Sequence, residues 1–289
     1  MAGRPDQGTG SPERSADPIW YDEIDLDPAG SWLRMGTRSL GSRPWLVVDE
    51  RRQDELALKA RLLAERHEDV FAALPGTEAP SRTVLRVVRA ELAAMGLGAG
   101  GGPPRHPLDT AGRLVQEDLC LLQRGSSAWQ LVAATLCFPS RWRLADKIGL
   151  PLGLVHEPVT GYGEHLSNRV DGLLDRLGDR IVWRRNWFIH PDDALFQPDR
   201  PVGGDPVVSG ADCLTRLYLR SERQTLRRIA DSHALFTIRV QQDPLAAFVA
   251  DPERHEALAR FVGEADDASA SHRGLSSRQR AELVVALGG

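Results

Sequence analysis

Apolar residues recur at helical spacing in several parts of the chain. In the segments Asp49 to Ala73 and Arg82 to Met95, leucine, valine and methionine fall largely on one side, and a Pro-Gly pair separates the two segments. The same stripe runs from Leu166 to Leu177. These patterns predict three amphipathic helices, and the C-terminal part from Pro252 to Gly289 predicts further ones.

Other stretches have the composition and alternation of strands. Trp183, Arg185 and Trp187 fall on one side of their segment, and the residues between them fall on the other. The predicted strands are Leu114 to Gln123, Trp129 to Phe138, Arg180 to His190, Cys213 to Arg220 and Ala234 to Val240. Antiparallel strand pairs with short helices between them favour an α+β fold around a curved sheet.

The tetrapeptide from Ser221 to Gln224 has the S-x-x-Q form of a capping box. It predicts that a short helix begins at Ser221. Glu222 would then lie at a helix N-terminus, where the helix dipole favours a carboxylate. Helix-end stabilisation is therefore as reasonable an interpretation of Glu222 as a chemical role.

Composition narrows the class of protein. The 289 residues include 42% hydrophobic and 26% charged residues, which is typical of a soluble globular chain. A net charge of −4 argues against nucleic-acid binding, because that binding needs a concentrated basic surface. No apolar run approaches the roughly 20 residues of a membrane span, and the three scattered cysteines indicate a reducing compartment. We therefore expect a cytoplasmic protein that binds neither nucleic acid nor membrane.

The stretch GLVHEPVTGYGEHL, from Gly153 to Leu166, gathers several chemically useful side chains. A histidine ends an apolar run and meets a Glu-Pro turn, and two glycines further on permit tight backbone turns. The pattern predicts a shaped loop that leads into a helix. It would present His156, Tyr162 and His165 in one neighbourhood.

Four stretches are long and specific enough to indicate a family. They are Ser140 to Tyr162 (SRWRLADKIGLPLGLVHEPVTGY), Leu217 to Val240 (LYLRSERQTLRRIADSHALFTIRV), Arg185 to Ile189 (RNWFI) and Gln116 to Leu122 (QEDLCLL). In this order they resemble the haem-dependent oxidative N-demethylase family, long catalogued as a domain of unknown function. The resemblance extends from about Trp20 to about Pro244.

The resemblance implies a PAS-like fold that binds haem b through a histidine. It also implies an oxidoreductase that uses oxygen to demethylate a small secondary amine, releases formaldehyde, and takes electrons from a separate flavin (FMN/NADPH) reductase. We expect a disordered lead over residues 1–18, a haem-binding PAS-like domain with helical insertions over residues 19–245, and a helical extension over residues 246–289. The rival interpretations are a non-catalytic haem-binding sensor of gas or redox state, and a chain that has lost its haem and binds another small molecule.

The resemblance assigns His156 as the iron ligand, with His165 as the runner-up. The alternative for His156 is a packed histidine hydrogen-bonded to backbone, and the alternative for His165 is an exposed, capping-type role near a helix start. Glu222 and Tyr162 are the catalytic candidates: Glu222 to bind a protonated amine or relay protons, and Tyr162 to donate a hydrogen bond. Tyr162 packed with its hydroxyl on backbone is the plainer alternative.

Haem propionates need cations, and the matching stretches contain several. The candidates are Arg143, Lys147, Arg185, Arg220 and Arg223, of which we expect one or two to hold the propionates. For each of them taken alone, a solvated surface charge is the favoured interpretation. The candidates for the apolar walls are Trp142, Trp183, Trp187, Leu152 and Phe236, although aromatic residues at strand spacing are usually plain core.

Overall fold

The structure is a computed structural model that describes residues 17–28, 36–98, 105–155 and 164–288, without the side chains of residues 164–168. Its helices are α1 (Arg52–Glu65), α2 (His67–Val70), α3 (Glu78–Ala94), α4 (Pro107–Gly112), α5 (Leu152–Val155), α6 (Glu164–Asp175), α7 (Cys213–Arg216), α8 (Leu245–Phe248), α9 (Pro252–Glu264), α10 (Asp267–His272) and α11 (Ser277–Ala286). Two 3₁₀ helices span Ile19–Glu23 and Gly210–Asp212.

Within those ranges the strands are β1 (Arg38–Ser39), β2 (Phe71–Ala73), β3 (Asp118–Arg124), β4 (Trp129–Thr135), β5 (Val182–His190), β6 (Tyr218–Ala230) and β7 (His233–Pro244). They form one sheet in the order β1-β5-β6-β7-β3-β4-β2, and each neighbouring pair is antiparallel. The fold is therefore α+β, as the pattern predicts, with a seven-stranded antiparallel sheet and flanking helices.

The strongest periodic signals correspond to real elements. The predicted helix from Arg82 to Met95 is α3, whose Val84, Val88 and Leu92 are buried. The predicted hairpin is β3 and β4, which pair directly. The alternating segment is β5, and the C-terminal part is helical in α9, α10 and α11.

One predicted helix and one predicted strand are wrong at one end. The helix predicted through Ala73 stops at Glu65, and Phe71 to Ala73 instead form β2 against β4. Pairing with an existing strand satisfies the backbone of this short segment better than another half-turn of helix. The strand predicted from Cys213 is helical up to Arg216 and extended only from Tyr218.

The helix predicted at Ser221 is also wrong, since β6 runs without interruption from Tyr218 to Ala230. Ser221 pairs with Trp187 of β5 on one side and with Gln241 of β7 on the other. A capping box is a local signal that supplies one or two hydrogen bonds, whereas two ladders satisfy the whole backbone of the segment. Glu222 therefore lies in the middle of a strand, and the helix-end interpretation of it falls with the helix.

Because successive strand residues point to opposite faces, β6 gives each face of the sheet its own residues. We name the faces after two neighbours on β6, the Glu222 face and the Arg223 face. The register places Asn186 of β5 and Val240 of β7 beside Glu222, and Arg185 and Arg239 beside Arg223.

Each face has its own covering of helices. On the Arg223 face, α3 and α4 pack over one end of the sheet and the C-terminal helices pack over the other. On the Glu222 face, α5 and α6 pack against β3, β4 and β7. No helix in the described part of the chain has the length and apolar character needed to cross a bilayer.

Candidate functional site

Glu222 lies at the centre of a hydrogen-bonded group on its face of the sheet. The Ser140 hydroxyl donates to Oε1 of Glu222 at 2.6 Å, and the Gln224 amide donates to Oε2 at 2.8 Å. Arg220 Nε donates to the Ser140 oxygen at 2.9 Å, and Arg184 Nε donates to Gln224 Oε1 at 2.7 Å. Both carboxylate oxygens have a donor, so the carboxylate is fixed in position while it remains 7% exposed.

Arg220 anchors this group to the surrounding loops. Its guanidinium is fully buried and donates to the backbone oxygens of Phe138, Ala194 and Leu195 and to Gln242 Oε1 at 3.0 to 3.2 Å. Burial lowers the pKa of Arg220 to about 10, and the neighbouring Glu222 carboxylate acts in the opposite direction. The guanidinium therefore stays charged at neutral pH and balances the carboxylate.

The elements on either side of the 156–163 loop pack over this same face. Val155 at the end of α5 and Val170 and Leu173 of α6 belong to the apolar cluster that contains Val240. Val240 is the register partner of Glu222 in the neighbouring strand. Val155, the last described residue before position 156, and the helix α6 after position 163 therefore both lie on the Glu222 face.

His156 and Tyr162 themselves lie outside the described residues. His165 belongs to α6, but its side chain is also outside that description. Their roles remain sequence-based hypotheses.

The structure separates Arg185 and Arg223 from Glu222. Both point from the Arg223 face and are engaged there already. Arg185 donates to Glu23 Oε2 at 2.8 and 2.6 Å from two of its nitrogens. Arg223 donates to the backbone oxygens of Trp45 and Pro44 at 3.0 and 2.6 Å. The contacts of both arginines secure N-terminal segments to the sheet.

Of the other three proposed propionate ligands, Arg220 is fully buried and donates to Ser140, Gln242 and backbone oxygens, whereas Arg143 and Lys147 are more accessible. Arg143 is exposed and pairs with Asp199 at 2.5 Å. Lys147 is half-buried and forms no ion pair with the described residues. Both follow Ser140 in the segment that leads to α5.

The proposed apolar walls also divide between the two faces. Leu152, Trp142 and Phe236 belong to the cluster on the Glu222 face, where the last two are only half-buried. Trp183 and Trp187 pack on the Arg223 face and are plain core. Half-covered aromatic groups close to the central strands indicate a face with room for an apolar partner.

A cavity of about 210 Å³ adjoins this group, and sequence reasoning missed it. Ser140, Phe188, His190 and His272 are among its lining residues, and exposed Arg200 also borders it, so the cavity reaches the surface. The strand pattern identified the position of His190, but only the tertiary contacts bring it close to Ser140.

The tautomer of His190 is fixed by its neighbours. Its Nδ1 lies 2.8 Å from Gln197 Oε1, while the amide nitrogen of Gln197 donates to Asp192 and to the Ala194 backbone oxygen. The Gln197 oxygen can only accept, so Nδ1 carries the hydrogen and Nε2 keeps its lone pair. Burial, followed by the charge of Arg220, lowers the pKa of His190 to about 3 and keeps the ring neutral.

Gln197 also positions the opposite wall of the cavity. The backbone oxygen of Gln197 accepts from the backbone N–H of Arg141 at 2.7 Å. Gln197 also forms an isolated parallel β-bridge with Ser140. Arg141 has a left-handed backbone with φ of 65° and its side chain pairs with Asp205. This turn directs Ser140 towards Glu222 on one side and towards the cavity on the other.

The comparisons with known proteins agree with the motifs of the sequence. A family model described as haem-dependent oxidative N-demethylase, alpha subunit-like, matches residues 95–282, nearly two thirds of the chain. No curated protein gives a significant match.

Proposed function

The chain belongs to the haem-dependent oxidative N-demethylase, alpha subunit-like family, and on that premise we propose that it is a haem b oxidoreductase that removes a methyl group from a small secondary amine. The family description supports an oxidoreductase with a partner subunit. The finer proposal names formaldehyde as a product and a separate flavin (FMN/NADPH) reductase as the electron donor. The observation that supports it best is the fixed carboxylate of Glu222 on the sheet face covered by the elements flanking His156.

The proposed haem would pack on the apolar residues of this face. Leu226 and Phe236 on the central strands and Trp142 in the adjoining segment are half-buried members of one cluster. Their partly accessible apolar surfaces are of the kind against which a bound macrocycle packs. His156, the residue that follows α5 in sequence, would supply the imidazole ligand.

Two of the proposed cations remain suited to the propionates. Arg143 and Lys147 lie in the segment between Ser140 and α5, close in sequence to the proposed ligand loop. Arg185 and Arg223 are directed to the other face and have partners there. We therefore propose Arg143 and Lys147 as the propionate contacts.

Bound haem would supply oxygen activation. The protein groups around the haem would bind and orient the substrate and deliver protons. Glu222, hydrogen-bonded to Ser140 beside Arg220, can accept an N–H hydrogen bond from a protonated secondary amine and fix its methyl carbon in place. One oxygen atom ends in formaldehyde and the other in water, so each turnover consumes two electrons and two protons. Glu222 Oε1 is also placed to hold such a proton.

The first test is the absorption spectrum of the haem-reconstituted chain. His156→Ala should shift or remove the Soret band, because the axial imidazole is lost. His165→Ala is the matched control on the other side of the loop and should leave the band unchanged. If the unaltered chain takes up no haem, the proposal is refuted. If the Soret band shifts only in the His165 variant, His165 is the iron ligand instead of His156.

Turnover is tested separately with dimethylamine, oxygen and a flavin reductase, with formaldehyde as the readout. Glu222→Gln keeps the shape of the side chain but removes its charge, so we expect kcat/KM to fall by at least tenfold. Haem binding by this variant should be normal. A haem protein that binds gas ligands and produces no formaldehyde from any amine would favour the sensor interpretation.

A further inference from the structure

We propose that protons reach Glu222 from solvent through the cavity lined by His190, with the Ser140 hydroxyl as the last carrier. The proposal rests on the proposed function for its purpose, since oxidation by oxygen consumes protons. The geometry that carries it is independent of haem: Ser140 borders the cavity and bonds Glu222 at 2.6 Å.

The direction of the Ser140 hydroxyl is set by its two partners. Arg220 Nε has a hydrogen to give, so the Ser140 oxygen must accept from it at 2.9 Å. The carboxylate of Glu222 can only accept, so the hydroxyl hydrogen points to Oε1. One lone pair of the Ser140 oxygen remains, and Ser140 is half-buried at the cavity wall. The hydroxyl is therefore oriented to take a hydrogen from the cavity and give one to Glu222.

The cavity itself connects this wall to solvent. Its lining runs from buried His190 to exposed Arg200 and Gly204. The Nε2 lone pair of His190 is an acceptor at the inner end, and Gln197 prevents the ring from changing tautomer. Because the pKa of His190 is lowered to about 3, its ring does not hold a passing proton at neutral pH. Ser140, which is hydrogen-bonded to Glu222, is therefore the last carrier.

The transfer is balanced in atoms and charge. A hydronium ion in the cavity gives a proton to the Ser140 oxygen as the Ser140 O–H bond breaks, and that hydrogen forms an O–H bond with Glu222 Oε1. Serine ends with its hydroxyl restored, and the carboxylate becomes a neutral acid. Arg220 and Glu222 carry opposite charges, and Arg141 is paired with Asp205, while Arg200 lies at the exposed end of the cavity.

The test measures proton arrival on the cofactor-free full chain by time-resolved infrared spectroscopy. A light-activated acid lowers the pH, and the protonated carboxyl band of Glu222 is followed after assignment by its loss in Glu222→Gln. Ser140→Ala removes the carrier, and we expect the band to appear at least tenfold more slowly. Ser140→Thr restores a hydroxyl and should restore the rate.

Ser271→Ala is the matched control, because this exposed serine lines the same cavity without bonding Glu222. Its rate should equal that of the unaltered chain. Equal rates in Ser140→Ala and the unaltered chain would overturn the proposal, as would a Glu222 that stays ionised until the protein unfolds. Absence of amine turnover would refute the proposed function and leave this infrared result to decide the path alone.

Discussion

Lys59 and Asp118 form an ion pair from which water is excluded. Both side chains are fully buried, with Nζ and Oδ1 3.6 Å apart. Lys59 also donates to the Val115 backbone oxygen at 3.0 Å, and Asp118 accepts from two backbone N–H groups at 2.8 Å. Burial raises the pKa of the Asp118 carboxyl, and Lys59 acts against that rise. Removing one partner leaves a buried charge uncompensated.

We therefore expect Lys59→Met to lower the free energy of unfolding by about 3 kcal/mol, measured by urea denaturation at pH 7. Adding Asp118→Asn should recover part of this loss, because the orphaned charge disappears. A single variant as stable as the unaltered chain would show that the pair is hydrated in solution.

The buried imidazole of His190 makes stability depend on pH. Its pKa is lowered from 6.5 to about 3, chiefly by burial and then by Arg220, with Arg141 and Arg200 adding to the effect and Gln197 opposing it. Below pH 6.5 the unfolded chain binds a proton that the folded chain does not, so stability falls as pH falls from 6.5 towards 3.

In His190→Gln this contribution is absent. Between pH 6.5 and 4, the unfolding free energy of this variant should fall less steeply with pH than that of the unaltered chain. We expect the two slopes to differ by about 1.4 kcal/mol for each pH unit. Chemical denaturation at several pH values measures the two slopes, and parallel slopes would contradict a neutral buried ring. His272, whose pKa is lowered to about 4, is present in both proteins and cancels.

At the scale of elements, the contact between the C-terminal helices and β5 depends on a close backbone approach. The Ile189 N–H donates to the Arg273 backbone oxygen at 2.7 Å, so the turn after α10 covers the edge of β5. Gly274 follows with φ of 85°, and a Cβ there would lie 2.5 Å from the Ile189 oxygen. Only glycine satisfies both conditions.

Gly274→Ala should accordingly destabilise the protein by about 2 kcal/mol more than Gly204→Ala. Gly204 has a similar φ of 89° and open space around its Cβ position, so it isolates the cost of the backbone angle. Thermal unfolding of the two variants gives the comparison. Equal losses would mean that the turn moves away from β5 at little cost.

The two strands at the site differ in how well sequence predicts them. β5 follows from alternation alone, to within two residues at its start, because its two faces meet different apolar clusters. β6 was predicted as a short strand followed by a helix, because the capping signal at Ser221 is local and its strand partners are distant in sequence.

At the scale of the whole molecule, the C-terminal helices share a core with the sheet. Trp187 of β5 and Leu219 of β6 are buried in one cluster with Phe261 of α9 and Leu283 of α11. A helical extension from residue 246 was predicted from composition, and this contact ties its stability to that of the sheet. The packing favours unfolding in a single step.

We expect tryptophan fluorescence and far-UV circular dichroism to report coincident urea transitions in the full chain. A chain ending at Asp251 should lose cooperativity, because Trp187 and Leu219 become exposed. If the shortened chain keeps one sharp urea transition, the sheet is stable without the C-terminal helices and the expectation is wrong.

Much of the candidate site, by contrast, was beyond sequence reasoning. Glu222 was selected through the family motif and through acid chemistry, and it does lie in a fixed polar group. Its partner Ser140 is 82 residues away, and no periodic signal joins them. Arg223 is a propionate candidate because it lies in the same matching stretch as Glu222, but adjacent residues of a strand point apart, so the two lie on opposite faces.

Because of this alternation, the polar group and the bonds to the N-terminal segment come from alternate positions of β6. Even-numbered Arg220, Glu222 and Gln224 form the polar group, and odd-numbered Arg223 and Thr225 bond to the N-terminal segment at Trp45. Substitution of Glu222 or Gln224 therefore changes the polar group without removing the bonds to Trp45, whereas Arg220 also holds the surrounding loops. A one-residue deletion would exchange the two sets at once, so this strand should tolerate substitution far better than any change of length.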